Sequence, residues 1–337
     1  MRRLLFLTQR IDPGDPVLAA TVSMVRALAA RVQEVAVLCD TAVPGSLPEN
    51  CRVRAFGART RAGRGLRFEA ALVRELLPRP DAVVAHMVPL YVLLAAPLVR
   101  PLGVPLLLWY THWKKHPTLR AAERVCTAVV SVDRRSFPFA SAKVRPIGHG
   151  IDVSEFPCVD GGGDGPLRAL VLGRYSPAKG IDEILRGLRL ALDRGLDARL
   201  EAHGPTASAL EQDHRGRLDR LVQALELGDR VELGGAVARS ELGALFARSD
   251  VLINNMRTGA PDKVVYEAAA SCLPVLASNP VFDDLLPPEL RFERGKPETL
   301  AARLAGLERR RRPELRERVV ERHSVESWAD GVLAAAG

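Results

Sequence analysis

Leu170-Val171-Leu172-Gly173-Arg174-Tyr175-Ser176-Pro177-Ala178-Lys179-Gly180-Ile181 is an apolar run, a turn rich in Gly, Ser and Pro, and the first residue of an amphipathic segment. A short apolar run bounded by glycine and followed at once by helical periodicity reads as strand, turn and helix. That reading sets Arg174 and Lys179 at the carboxyl edge of the strand, beside a helix N-terminus whose free N–H groups favour an anion. Two cations there suit a diphosphate, because charge-assisted hydrogen bonds to phosphate oxygens are the strong ones.

The same alternation extends in both directions. Short apolar runs at Leu4–Leu7, Val35–Leu38, Ala82–Ala85, Leu106–Trp109, Ala128–Val132, Ala169–Leu172, Ala198–Ala202, Val231–Leu233, Val251–Ile253 and Pro274–Ala277 predict strands. Between them, Val17–Arg31, Phe68–Leu77, Ile181–Arg194, Ala209–Glu226 and Glu241–Ala247 carry helical patterning. Regular βα alternation predicts an α/β chain with parallel sheets covered by helices on both faces. The run Val159-Asp160-Gly161-Gly162-Gly163-Asp164-Gly165-Pro166 is too rich in glycine for either element, so the hinge between two domains is expected there. Ligands of such sheets sit beyond the carboxyl ends of the strands.

With 337 residues, 47% of them hydrophobic and 26% charged, disorder and a disulfide-rich scaffold are excluded. Five cysteines form an odd set without a C-x-x-C pair or a histidine at ligand spacing, so neither disulfides nor a metal site are expected, and a reducing cytosol fits best. Leu4–Leu7 reaches Gln9 and Arg10 too soon for a signal-peptide core and reads as a buried strand. Met87 to Trp109 is long and apolar, but Pro89, Pro97, Pro101 and Pro105 break it into helix, break and strand. The net charge of +8 comes with only six lysines among 48 basic residues. Its local clusters, Arg59 to Arg67 and Arg309 to Arg312, lack interleaved aromatics, so no nucleic-acid partner is expected. Arg59–Arg67 reads instead as a loop able to rest on an anionic membrane.

Downstream, Gly228-Asp229-Arg230-Val231 leads to Ser249-Asp250-Val251-Leu252-Ile253, then to Gly259-Ala260-Pro261-Asp262-Lys263-Val264-Val265-Tyr266-Glu267-Ala268 and Leu273-Pro274-Val275. In order and spacing these motifs, with the Leu170–Ile181 segment, resemble the retaining glycosyltransferases of family 4. The resemblance implies the GT-B fold of two facing Rossmann-like domains. It divides the chain into residues 1–155 on the acceptor side, 156–322 binding a nucleotide sugar, and 323–337 as a helix returning to the first domain, with Trp328 in its packing. It implies transfer of a sugar, hexosyl or related, from a nucleotide-diphosphate donor to a glycan, lipid-linked or small-molecule acceptor. Retention at the anomeric carbon, no metal or cofactor, and a cytoplasmic location with peripheral contact at the inner membrane face belong to the same expectation.

By that resemblance Arg174 and Lys179, following Gly173, neutralise the departing diphosphate. Glu267 matches the second of the family's two glutamates, eight residues apart, and holds the ribose hydroxyls, against the plainer reading of an ion pair with Lys263. The first glutamate's position is occupied by Gly259. The expected division of labour is therefore Glu267 for the nucleoside, the backbone of Lys263 and Val264 for phosphate, and the backbone of Gly259 and Ala260 with Asp262 for the sugar. In the first half His112 matches a donor-sugar contact, His86 a cleft-lining position, and His149 a turn at the end of the first domain. Gly14 belongs to the early loop, where Asp15 and Pro16 replace two glycines. A non-catalytic nucleotide-sugar-binding protein of the same fold is the alternative that Gly259 and this loop leave open.

Overall fold

The computed structural model describes residues 1–15, 18–158, 163 and 165–337. The chain divides into two compact units, Met1–Asp152 with Arg322–Gly337, and Val153–Glu321. The first boundary falls before Val153 rather than after residue 155, and the return to the first unit begins at Arg322 rather than 323. The glycine-rich hinge lies mostly outside the described residues.

In the first unit the elements are β1 (Arg3–Ile11), α1 (Ala20–Ala29), β2 (Glu34–Ala42), β3 (Cys51–Ala55), α2 (Arg61–Glu75), β4 (Ala82–His86), α3 (Pro89–Val99), β5 (Leu106–Trp109), α4 (Pro117–Val125), β6 (Ala128–Ser131) and β7 (Val144–Pro146). All seven strands are parallel, in the order β3-β2-β1-β4-β5-β6-β7. The continuous apolar runs occupy the middle of the sheet, where both faces are covered. Cys51-Arg52-Val53-Arg54-Ala55 is an edge strand that hydropathy does not reveal. It is held by charge instead, because the buried Glu75 carboxylate accepts from Arg3 at 2.6 Å, Arg52 at 2.9 Å and Arg54 at 2.8 Å.

Two further expectations for this unit change. Helix α2 begins at Arg61, not near Phe68, because the Thr60 side chain caps it by accepting from the Gly63 N–H at 3.1 Å. Arg61, Arg64 and Arg67 therefore lie on a helix rather than in a loop. The apolar stretch from Met87 folds as α3, a short 3-10 turn at Arg100–Leu102 and β5. No helix among the described residues is long and apolar enough to cross a membrane. Trp328 packs edge-to-face on Trp109 at 5.6 Å, both rings fully buried, so the C-terminal helix completes the first unit's core.

The second unit contains β8 (Leu167–Leu172), α5 (Ile181–Asp193), β9 (Ala198–His203), α6 (Ala209–Ala224), β10 (Val231–Gly234), α7 (Leu242–Arg248), β11 (Val251–Asn254), α8 (Lys263–Ala270), β12 (Val275–Ala277) and α9 (Pro297–Ala305). Helix α10 (Pro313–His323) spans the unit boundary, and α11 (Val325–Ala336) closes the chain. The parallel order β10-β9-β8-β11-β12 places the topological switch between β8 and β11, where the connections leave in opposite directions. The expectation of unpaired cysteines is corrected here: Cys158 and Cys272 are disulfide-bonded, with Cα atoms 5.1 Å apart. A separation of 114 residues leaves no spacing motif by which a sequence could show that pair.

Candidate active site

The turns after β8 and β11 meet at the switch point, and a buried lysine joins them. Gly173 has φ +123°, and a Cβ there would stand 2.3 Å from Lys179 Nζ, so only glycine lets this side chain fold back over the strand end. Lys179 Nζ donates to the Leu172 carbonyl at 2.9 Å and pairs with the Asp262 carboxylate. Asn254, at the end of β11, donates to the same carboxylate at 2.6 Å. Lys179 is 9% exposed, whereas the Arg174 side chain is 64% exposed and reaches Glu211 at 3.4 Å. Lys179 is thus fixed by the fold, while Arg174 is an exposed cation beside the site.

Helix α8 starts against this cluster. Its first backbone bond runs from the Val265 N–H to the Asp262 carbonyl at 3.1 Å, so the N–H groups of Lys263 and Val264 precede intrahelical pairing. The preceding turn does not behave as expected. Gly259, at φ +81°, donates its N–H to Asn279 Oδ1 at 3.3 Å, and Ala260 donates to the Arg257 carbonyl at 3.3 Å. Those N–H groups are spent on closing the turn, so the expected role of the 259–260 backbone in holding a sugar by donation is withdrawn. Asp262 is committed to Lys179 and Asn254 rather than standing alone at the helix start.

Glu267 lies one turn into α8 and is 4% exposed. Both its cationic partners engage one oxygen, with Arg239 and Lys263 donating to Oε1 at 2.8 Å and 3.1 Å. Burial raises a carboxyl pKa, but Lys263 and Arg239 more than offset it and hold Glu267 below its ordinary value. Burial also lowers Lys263, against the pull of Glu267. The Lys263–Glu267 pair therefore forms, as a buried cluster rather than a surface contact. Arg239 continues through Nε to Glu155 at 2.8 Å, with its guanidinium 5.3 Å from the Phe156 ring centre.

Sequence reading missed Arg239, which lies 28 residues from its partner, and the buried Asn254, Asn255 and Asn279. Two adjacent asparagines ending an apolar strand were the available signal, since a buried amide must be paired. Asn255 bonds the Gly180 carbonyl at 3.1 Å and Glu183 at 2.9 Å, which fastens the β11 turn to the start of α5. Tyr175 is likewise buried, its hydroxyl within 2.7 Å of the Ala202 carbonyl and 2.8 Å of the Gly234 carbonyl.

In the first unit, His112 follows β5, accepts at Nδ1 from the Lys114 N–H at 2.9 Å and stacks on Trp113. His86 ends β4 but is 6% exposed, set 3.2 Å from Thr8 Oγ1 and stacked on Phe6. Burial pushes its pKa down to about 4, so it is a neutral core residue and not a cleft-lining one. His149 is buried near His323, which burial and His149 together push down to about 3. Gly14 donates to Asp12 at 2.9 Å, and Asp15 binds Arg10 at 2.7 Å while accepting from the Leu18 N–H at 2.8 Å. The carboxylate that replaces a loop glycine is therefore neutralised where it stands. Pro16 lies outside the described residues.

Two parallel-sheet Rossmann-like domains with a cationic cluster at the second switch point define an α/β protein of the GT-B fold class. Residues 161–323, just under half of the chain, match the family of glycosyl transferases group 1. Sucrose-phosphate synthase from Thermosynechococcus elongatus is 17% identical with a TM-score of 0.73, covering 99% of this chain and 98% of its own. HepE of Anabaena, solved with UDP and glucose, is 16% identical with a TM-score of 0.68, covering 100% and 95%. A glycosyltransferase from Rickettsia africae is 12% identical with a TM-score of 0.73, covering 99% and 97%. No curated protein matches the chain.

Proposed function

We propose that this protein transfers a sugar from a nucleotide-diphosphate donor to an acceptor hydroxyl, with retention of anomeric configuration and without a metal or cofactor. The observation that carries the reading is Lys179 Nζ, buried at the β8 end beside the opening N–H groups of α8. Charge grows on the diphosphate as the bond to the sugar breaks, and a preorganised ammonium, fixed N–H donors and the nearby Arg174 stabilise it. Glu267, clamped at Oε1, offers its other oxygen to the ribose hydroxyls. UDP-sugars are the first donors to try, since the HepE structures contain UDP and UDP-glucose.

The test is a panel of nucleotide sugars assayed for donor hydrolysis and transfer, with EDTA present. Lys179→Ala should lower kcat/KM by about 2–4 kcal/mol of barrier. Unchanged turnover in that variant removes the diphosphate assignment. One observation favours a second reading, a nucleotide-sugar binder without transfer: Gly259 stands where the family has a glutamate, and its N–H is already occupied. Tight donor binding with neither hydrolysis nor transfer across the panel would select it.

A further inference from the structure

The first unit has an open cleft separate from the residues proposed to hold the donor. It measures about 1030 Å³ and lies beyond the carboxyl ends of β2 and β3, lined by Asp40, Thr41, Gly57, Arg59, Thr60 and Arg67 among others. Gly57 forms part of its floor: the residue's N–H donates to the Asp40 carbonyl at 3.1 Å, and a Cβ would stand 2.6 Å from that oxygen. Asp40, the one carboxylate lining the cleft among the described residues, is already paired with Arg64 at 3.4 Å. Arg67 donates to the neutral Gly57 carbonyl at 2.6 Å and makes no ion pair among the described residues. Arg59 makes no ion pair among the described residues. The fifteen-residue helix α2 opens onto the same place, with Thr60 as both its cap and a lining residue.

Two guanidinium groups with no ion pair among the described residues, at the positive end of a long helix and beside a carboxylate already paired with Arg64, form a site for a doubly charged anion. A carboxylate would fill one guanidinium fork, whereas a phosphoryl group can serve both, and the cleft has room for the organic part of an ester. We propose that this cleft binds a phosphate ester or diphosphate. On the glycosyl-transfer reading, and resting on it, that group is the phosphate of the acceptor. The phosphate has two sources, a free phosphate ester or a lipid headgroup. The second is relevant because Leu66 and Val73 on α2 and Leu77 just beyond its end are exposed at 74%, 48% and 77%.

Inorganic pyrophosphate titrated calorimetrically into the full chain should find two sites. Arg174→Ala with Lys179→Ala should remove one, and Arg59→Ala with Arg67→Ala the other. Arg59→Ala alone, whose side chain has no partner to lose among the described residues, should weaken the second site roughly tenfold or more. A single site that Arg59→Ala leaves unchanged overturns the proposal and leaves the transfer reading standing. Retention of the Arg59-dependent site without any donor binding or turnover keeps the anion site and removes only its assignment to an acceptor. Phosphatidylcholine vesicles with and without phosphatidic acid separate the sources. Capture that requires phosphatidic acid and is lost in Arg59→Ala supports the headgroup, and pyrophosphate binding without capture supports a free ester. Capture that Arg59→Ala leaves unchanged overturns the lipid source.

Discussion

On the proposed reading, Asp262 and the donor's diphosphate would compete for the same ammonium group. Lys179 is paired with Asp262, and on the proposed reading that carboxylate would also repel the incoming diphosphate. Asp262→Asn keeps an oxygen for Asn254 to donate to and removes the negative charge. Nucleoside diphosphate affinity should therefore rise by about 1 kcal/mol, the size of one screened charge contact, rather than stay constant as it would if Asp262 served the sugar alone. Calorimetric titration reads this directly, and weaker binding in the variant would mean that Asp262 orients Lys179 more than it competes for it. His86 offers a second test at this scale. Its folded pKa is depressed to about 4 from an ordinary 6.5, so the unfolded chain binds the extra proton first. The stability that neutral His86 contributes is whole above pH 6.5 and is lost as pH falls from there through about 4. The full loss is about 3 kcal/mol at most. Urea unfolding at pH 7 and pH 4.5 should show a smaller difference for His86→Gln than for the parent chain, and equal differences would place His86 in water.

Helix α11 tests whether packing or hydrogen bonding holds an element in place. The Trp328 ring is fully buried against Trp109, yet its indole N–H has no hydrogen-bond partner among the described residues. If apolar contact dominates, Trp328→Ala should cost about 3–5 kcal/mol of first-unit stability. Trp328→Phe, which also deletes a stranded donor, should cost under about 1.5 kcal/mol. Equal losses in chemical denaturation would overturn that ranking. The elements legible in the sequence share this dependence on apolar burial: β1, β4, β5, β6, β8 and β11 are continuous hydrophobic runs in sheet interiors. The illegible ones rest on something else. Strand β3 is secured by arginines that reach Glu75, β7 has only three residues, and the first turns of α2 contain Gly63 and Gly65, whose weak helix propensity is overcome by the Thr60 cap. In the site, Arg174 and Lys179 were legible in place because a strand end locates its own turn. The Arg239–Glu267 contact joins separate elements and leaves no local pattern.

At the scale of the whole chain, each unit has its own sheet and core, and the groups proposed to hold a nucleoside diphosphate all belong to Val153–Glu321. Stabilisation by such a ligand follows from binding the native state alone. It should amount to about 2.7 kcal/mol when free ligand is a hundred times its dissociation constant. Because the contacts proposed for the diphosphate are ammonium, guanidinium and backbone N–H groups, EDTA should leave this stabilisation intact. Hydrogen exchange should slow most at residues 173–180 and 263–267, where the ligand would tie the β8 turn to the start of α8. The same experiment with Glu267→Ala should keep protection at 173–180 and 263–264, where phosphate contacts persist, and lose it at 265–267 as the nucleoside is released. Stabilisation abolished by EDTA would require a metal bridge that this set of cations does not need. Protection confined to the first unit would place the nucleotide away from the switch point altogether.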